Sequence, residues 1–201
     1  MIRPLLHFNL KHFSIVLSLI LFICSCLFIA CNNNPLPLPK PPPEVPPPAI
    51  TLGSVHGGGL ICYLDSTGKH GLIAAPKNQS SGIQWFNGSD LITKASGSSL
   101  GTGGSNSDYI NAVQGQGNYA ARICTDLELD GYRDWFLPSK EELNKMYLNL
   151  KLKEIGFFVD GFYWSSSEAN GMSAWAQDFS SGAQGRGNKS ALGYVRAMRA
   201  F

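Results

Sequence analysis

Beyond residue 48, this 201-residue chain is short of the side chains that most often carry catalysis. It has two histidines there, His56 and His70, and two cysteines, Cys62 and Cys124. No HExxH or CxxC spacing occurs there, so the common signatures of zinc hydrolases and paired-thiol sites are missing. Ser165, Ser166 and Ser167 have no histidine that spacing nominates as their base. Charge of one sign is not in excess either. Residues 49–201 hold 13 Lys and Arg against 13 Asp and Glu, and the chain's net +2 arises in residues 1–48. A neutral domain has no bulk electrostatic attraction for nucleic acid. No segment repeats at a fixed period, which sets aside solenoids and propellers. The expectation is a domain that is no enzyme, takes no cofactor or metal, and binds no nucleic acid.

The first 48 residues lack what the rest is rich in: all 22 Gly and all four Trp come after them. Residues 13–30 carry no charge and are mostly Leu, Ile, Phe and Val, with Arg3 and Lys11 ahead of them and Asn32-Asn33-Asn34 behind. A basic start, an apolar middle and a small residue at the cut form the layout of an export signal. With Cys31 directly after Ala30, the segment resembles a bacterial lipoprotein signal. That implies a diacylglycerol thioether on Cys31, which becomes the new N-terminus. Phe28 stands where Leu is usual, and Cys26 is a weaker alternative cut. The other reading is an uncleaved membrane anchor, since eighteen apolar residues just span a bilayer. Either way the remainder is placed outside the cytoplasm and tied to a membrane.

Nine of the 14 residues in 35–48 are Pro. Proline lacks the N–H and fixes φ, which rules out a helix or an inner strand. A polyproline II rod of roughly 40 Å is expected, at about 3.1 Å per residue. It reads as a stalk that lifts a domain off the membrane; the rival is a ligand for a proline-binding partner. Residues 1–30 are thus the expected signal, 31–48 the lipidated Cys and stalk, and 49–201 one domain of ordinary size.

Within the domain, residues 60–64 and 71–75 are short apolar runs joined by a Gly-containing turn, the pattern of a hairpin, and Pro76 ends the second. Residues 83–86 add a short strand, and the Gly/Ser-rich residues 96–107 read as a loop. Helical spacing predicts helices over 108–113 and 119–129. Ser139 and Glu142 have capping-box spacing, and Leu143, Met146, Tyr147 and Leu150 then fall on one stripe. Residues 162–164, 174–179 and 194–201 read as strands. The order of strands, helices and strands predicts an α+β fold with a mostly antiparallel sheet and two or three helices.

Three further patterns carry weaker signals. Gly115-Gln116-Gly117-Asn118-Tyr119-Ala120 matches a dinucleotide fingerprint, but no buried strand precedes it, and a loop between two helices is the better account. Asp126, Glu128, Asp130, Gly131 and Asp134 resemble the front of a calcium loop, yet Leu137 stands where a bidentate Glu is required. Cys62 and Cys124 are an even pair in an oxidising compartment; a disulfide and two buried thiols both remain open.

One segment and several shorter ones carry a family pattern. They are Gly131-Tyr132-Arg133-Asp134-Trp135-Phe136-Leu137-Pro138-Ser139-Lys140-Glu141-Glu142-Leu143, Tyr163-Trp164-Ser165-Ser166-Ser167-Glu168, Ala174-Trp175, and Tyr194-Val195-Arg196-Ala197-Met198-Arg199. Gly71-Leu72-Ile73-Ala74-Ala75-Pro76 and Ile83-Gln84-Trp85 agree with it. Together they resemble the Lcl C-terminal domain family, named for a collagen-like bacterial surface adhesin. The resemblance implies a C-type-lectin-like fold, in which ligands usually meet the loops and strands of the C-terminal half. Formylglycine-generating enzymes and retroelement-diversified receptors share the same order of motifs. The adhesin is similar in binding sulfated glycosaminoglycans as a trimer, which implies a homotrimer here. This chain departs from it in having a Pro stalk instead of a collagen-like repeat, and in its neutrality. Arg186, Lys189, Arg196 and Arg199 are its only local candidates for a polyanion.

Residues 169–192 point to a binding face on their own terms. Trp175, Gln177 and Phe179 alternate with Ala174, Ala176 and Asp178, so one side packs and the other meets solvent. Ser, Gly, Asn and Gln near aromatics supply adaptable hydrogen bonds. The expected ligand-binding residues are Trp175, Gln177, Arg186, Asn188, Lys189 and Tyr194. The expected function is adhesion or recognition of glycans or surface proteins by a lipid-anchored domain of the bacterial envelope, exposed at the outer membrane. The alternatives are an envelope assembly lipoprotein and a retroelement-diversified receptor.

Overall fold

Short apolar runs broken by glycine turns fold back on one another at the start of the domain. The structure, a computed structural model, describes residues 50–201; Cys31, the expected signal and the Pro-rich stalk lie outside the described residues. Strands β1 (Val55–His56), β2 (Gly59–Leu64) and β3 (Gly71–Ala74) form an antiparallel meander. The expected hairpin turn is held by Asp65, whose Oδ1 accepts hydrogen bonds from the Thr67 backbone N–H (2.9 Å) and hydroxyl (2.7 Å). Gly68 takes φ +67°, a conformation that costs an L side chain energy.

The second sheet has the order β4-β8-β5-β6-β7. Its strands are β4 (Ser80–Ile83), β5 (Phe162–Glu168), β6 (Ser173–Asp178), β7 (Gln184–Asn188) and β8 (Gly193–Val195). Only β5 and β8 pair in parallel. The strand expected over 194–201 is two strands. After Val195 the chain crosses to the first sheet, where β9 (Met198–Ala200) pairs with β3. Arg196 sits at this crossing, 1% exposed. Its guanidinium donates to the carbonyls of Ala75 and Gly156 and to Asn78 Oδ1, and it lies over the Phe158 ring. Burial pulls its pKa down to about 10, which leaves it charged at neutral pH. A full set of acceptors is what makes a buried cation tolerable there.

Three helices lie between the early strands and β5: α1 (Gly103–Gln114), α2 (Ala120–Thr125) and α3 (Lys140–Asn149). α1 begins inside the stretch expected to be a loop. Its Gly- and Ser-rich start has low helix propensity, and tertiary bonds offset this. Asn106 Nδ2 donates to Gly97 O (2.6 Å), and the Leu137 backbone N–H donates to Ser107 Oγ (3.0 Å). Gly115–Tyr119 is the connection between α1 and α2, as expected for the fingerprint-like run. α2 stops at Thr125, short of the expected Leu129, because Leu129 and Tyr132 pair in a tight turn with Asp130 at φ +53°.

The capping box of α3 is present: Ser139 N–H donates to Glu142 Oε2 (2.7 Å), and Glu142 N–H donates to Ser139 Oγ. Glu142 also accepts from Gly101 N–H (2.7 Å), although burial of its carboxyl outweighs these bonds and raises its pKa. Leu143, Met146, Tyr147 and Leu150 are all buried, as the stripe predicts. They pack with Cys62, Leu72, Tyr163 and Phe179 in one core cluster, while Trp85, Ile110, Cys124, Trp135 and Trp164 belong to another. Cys62 and Cys124 therefore sit in different clusters as free thiols, and the disulfide left open from sequence is not formed. Burial raises both thiols well above their usual range. The fold is mixed α+β with mostly antiparallel sheets. Among the described residues no helix is long and apolar enough to cross a membrane.

Candidate functional site

Strands β6 and β7 form the outermost hairpin of the second sheet, and their register decides which side chains share a face. Trp175 pairs directly with Arg186, Ser173 with Asn188, and Gln177 with Gln184. Trp175 is half-buried and Arg186 exposed. A third side chain arrives from the start of α3: Lys140 Nζ lies 4.3 Å from the Trp175 ring centroid, against 5.4 Å for Arg186 Cζ. Two bonds hold that helix start beside the hairpin. Lys140 N–H donates to Ser167 Oγ (2.9 Å), and Gln184 Nε2 donates to Lys140 O (2.9 Å). Among the described residues Arg186 has no carboxylate within ion-pair distance. An indole flanked by two cations, one of them uncompensated, attracts an anionic group and offers a stacking surface beside it.

The other face of the hairpin is apolar. Ala176 stands between Trp164 and Gly185 in register, and Ala174 faces Gly187. Here lies a cavity of about 270 Å³ lined by Phe162, Trp164, Ala176, Gly185, Arg186, Gly187, Ala191 and Leu192. Trp164 is its fixed floor, with Nε1–H donating to Ile83 O (3.0 Å). A Cβ on Gly187 would come 2.8 Å from the Trp164 ring, so only glycine lets β7 lie across the indole. Phe162 and Leu192 are 63% and 70% exposed at the rim.

The expected binding residues divide. Trp175, Arg186 and Asn188 share the outer face; Asn188 Oδ1 there accepts from the Ser190 N–H and hydroxyl, closing the following turn. Tyr194 is half-buried two strands from β6, its ring stacked on Tyr163 at 5.2 Å. Gln177 is fully buried and serves the fold, donating to Asn144 Oδ1 and Gly182 O. Lys189 is also fully buried, which corrects its assignment as a ligand residue. Its Nζ bonds Glu168 Oε1 (2.6 Å) and Leu91 O (2.9 Å) and lies 4.6 Å from the Trp85 centroid. Glu168 in turn accepts the N–H groups of Thr93 and Lys94, pinning that loop to the end of β5.

The polyanion cluster considered from sequence does not assemble. Arg196 is internal, and Arg199 pairs with Asp134 at 2.7 Å while covering Tyr132. The acidic stretch is taken up likewise: Asp126 pairs with Arg122, Glu128 with Arg133, and Asp134 with Arg199. The serine run is structural, with Ser165 and Ser167 hydroxyls donating to Trp175 O and Gly97 O. The sequence does not mark Lys140, Gln184 or the cavity. The alternation Gly185-Arg186-Gly187 was the one local signal of a strand with a bare face; nothing local places the start of α3 beside it.

The model of the Lcl C-terminal domain family matches residues 76–199. The chain belongs to that family. The span matched by the Lcl C-terminal domain takes in all three helices and the whole second sheet, and so both faces of the β6–β7 hairpin. No curated protein matches the chain. Among solved structures the chain is similar to a fimbrial protein from Bacteroides ovatus ATCC 8483, at 13% identity and a TM-score of 0.47, covering 70% of this chain and 43% of that one. This Lcl C-terminal domain protein thus spans less than half the length of that relative.

Proposed function

We propose that this member of the Lcl C-terminal domain family is a lipid-anchored protein of the bacterial surface. Its C-type-lectin-like domain recognises glycans or surface proteins without chemically altering them. Lipidation at Cys31, the polyproline stalk and an outer-membrane location are the proposed means of display; assembly as a homotrimer is part of the same reading. The observation that carries recognition is the half-buried Trp175 flanked by Lys140 and Arg186. Stacking on the indole suits a sugar ring or a planar side chain, and the two cations suit a sulfate or carboxylate beside it.

The test is a glycan array probed with the domain of residues 49–201, which lies within one compact unit. Retention of glycans bearing sulfate or carboxylate is expected, with loss in the Trp175→Ala, Arg186→Ala double variant. Retention that survives the double variant, or turnover of any substrate, contradicts the proposal. The second reading, an envelope lipoprotein that meets other proteins, is favoured by one observation: among the described residues β7 is the last strand of its sheet and its outer edge is unpaired.

A further inference from the structure

We infer that the free edge of β7 is a docking site for an extended strand of a partner protein carrying an apolar–acidic–apolar triplet. This rests on the reading of the β6–β7 hairpin as the binding region, and it names the partner's chemistry.

Among the described residues, the outer backbone edge of β7 has no neighbouring strand in the sheet. Unpaired edge groups are a template for one more strand, supplying affinity through main-chain bonds, while pockets for alternate side chains supply specificity. Both kinds of pocket are present, one on each face. Gly185 and Gly187 line the 270 Å³ cavity and carry no side chain; a Cβ at Gly185 meets nothing within 4 Å, while at Gly187 the Trp164 indole lies against the bare backbone. Side chains of an added strand that lie beside those glycines reach across them onto Trp164, Ala176 and the exposed Phe162 and Leu192. Between the glycines, Arg186 points to the opposite face, where it lacks a carboxylate partner among the described residues and has Lys140 nearby. The strand period of two then sets the order in the partner: a bulky apolar residue, an acidic one opposite Arg186, another apolar one. Charge complementarity selects the acidic centre, because Arg186 and Lys140 flank Trp175 on that face and Arg186 has no carboxylate within ion-pair distance among the described residues.

The experiment uses the full-length chain in lipid nanodiscs and a fluorescent, end-blocked peptide, Gly-Thr-Thr-Phe-Asp-Val-Thr-Thr-Gly, titrated by anisotropy. Saturable binding is expected, with slowed amide exchange over residues 184–188. Exchanging Phe and Asp in the peptide puts the acid on the cavity face and weakens binding at least tenfold. Gly185→Val fills the opening; a Cβ there meets nothing within 4 Å, so the fold is kept while binding is lost. Arg186→Glu weakens the Asp peptide at least tenfold and is rescued by a peptide with Lys in its place. Equal binding of the exchanged peptide, or unchanged binding to Gly185→Val, overturns the inference. So does self-association abolished by Gly185→Val, which would assign the edge to a second copy. Failure of the peptide with glycan retention intact overturns this inference alone; loss of both overturns the proposed function as well.

Discussion

Arg186 and Lys189 stand three residues apart, in a stretch of uniform polar character, and act in opposite ways. Arg186 is exposed, rests against Trp175 and has no acidic partner among the described residues. Lys189 is completely enclosed and joins Glu168, the Leu91 carbonyl and the Trp85 ring. Burial separates them. A cation in water is free to meet a ligand; a cation removed from water must have its partners built in. The polar C-terminal third is therefore not a single adhesive surface. Its inner residues lock a loop to the sheet, and only its outer residues face solvent.

The largest way to break this comparison is Lys189→Met. It leaves the Glu168 carboxylate buried without its counter-ion and should cost about 3–5 kcal/mol. Urea unfolding reads the loss, and faster amide exchange at Thr93 and Lys94 shows where it falls. A cost within about 0.5 kcal/mol, the range of an ordinary surface change, would mean Lys189 is not a structural cation. Two glycines on one strand sharpen the same contrast. Gly187→Ala drives a methyl into the Trp164 indole and should cost about 1–3 kcal/mol, whereas Gly185→Ala enters open space and should change stability little. Equal effects in thermal unfolding would remove the argument that glycine is needed only over the indole.

A smaller effect concerns pH. Asp134 is held below the usual carboxylate range first by its hydrogen bond from Arg199. A lowered folded pKa contributes stability that is present above the unfolded value, about 4, and lost as pH falls through the folded one. The melting-temperature gap between wild type and Asp134→Asn should therefore be present at pH 7 and close in more acid solution. The gap should be small, since Asp134 is 56% exposed and the pair is screened by solvent. A gap that widens toward acid pH would contradict the assigned pair.

What was legible in the sequence was local. The Ser139–Glu142 capping box, the stripe after it and the first hairpin each depend on residues within a few positions, and all three are present. What was not legible depends on distant partners. Nothing near Lys189 marks it as internal, because Leu91 lies 98 residues away and Glu168 lies 21. Likewise Lys140 belongs to α3, and only the packing of that helix start against β6 and β7 brings it to Trp175. β7 itself, Gln-Gly-Arg-Gly-Asn, has little strand propensity; five register pairs with β6 impose the strand where residue type does not. The split of the last strand was hidden because residues 194–201 carry no Gly or Pro to mark the crossing at Arg196.

The central claim is that the outer face of the β6–β7 hairpin recognises a ligand and is separable from the interior that supports it. Arg186→Ala tests it most directly, with ligand retention on the array and urea unfolding measured on the same preparation. The account predicts an unfolding midpoint indistinguishable from wild type, with retention of anionic ligands lost. Undiminished retention at an unchanged midpoint would contradict it.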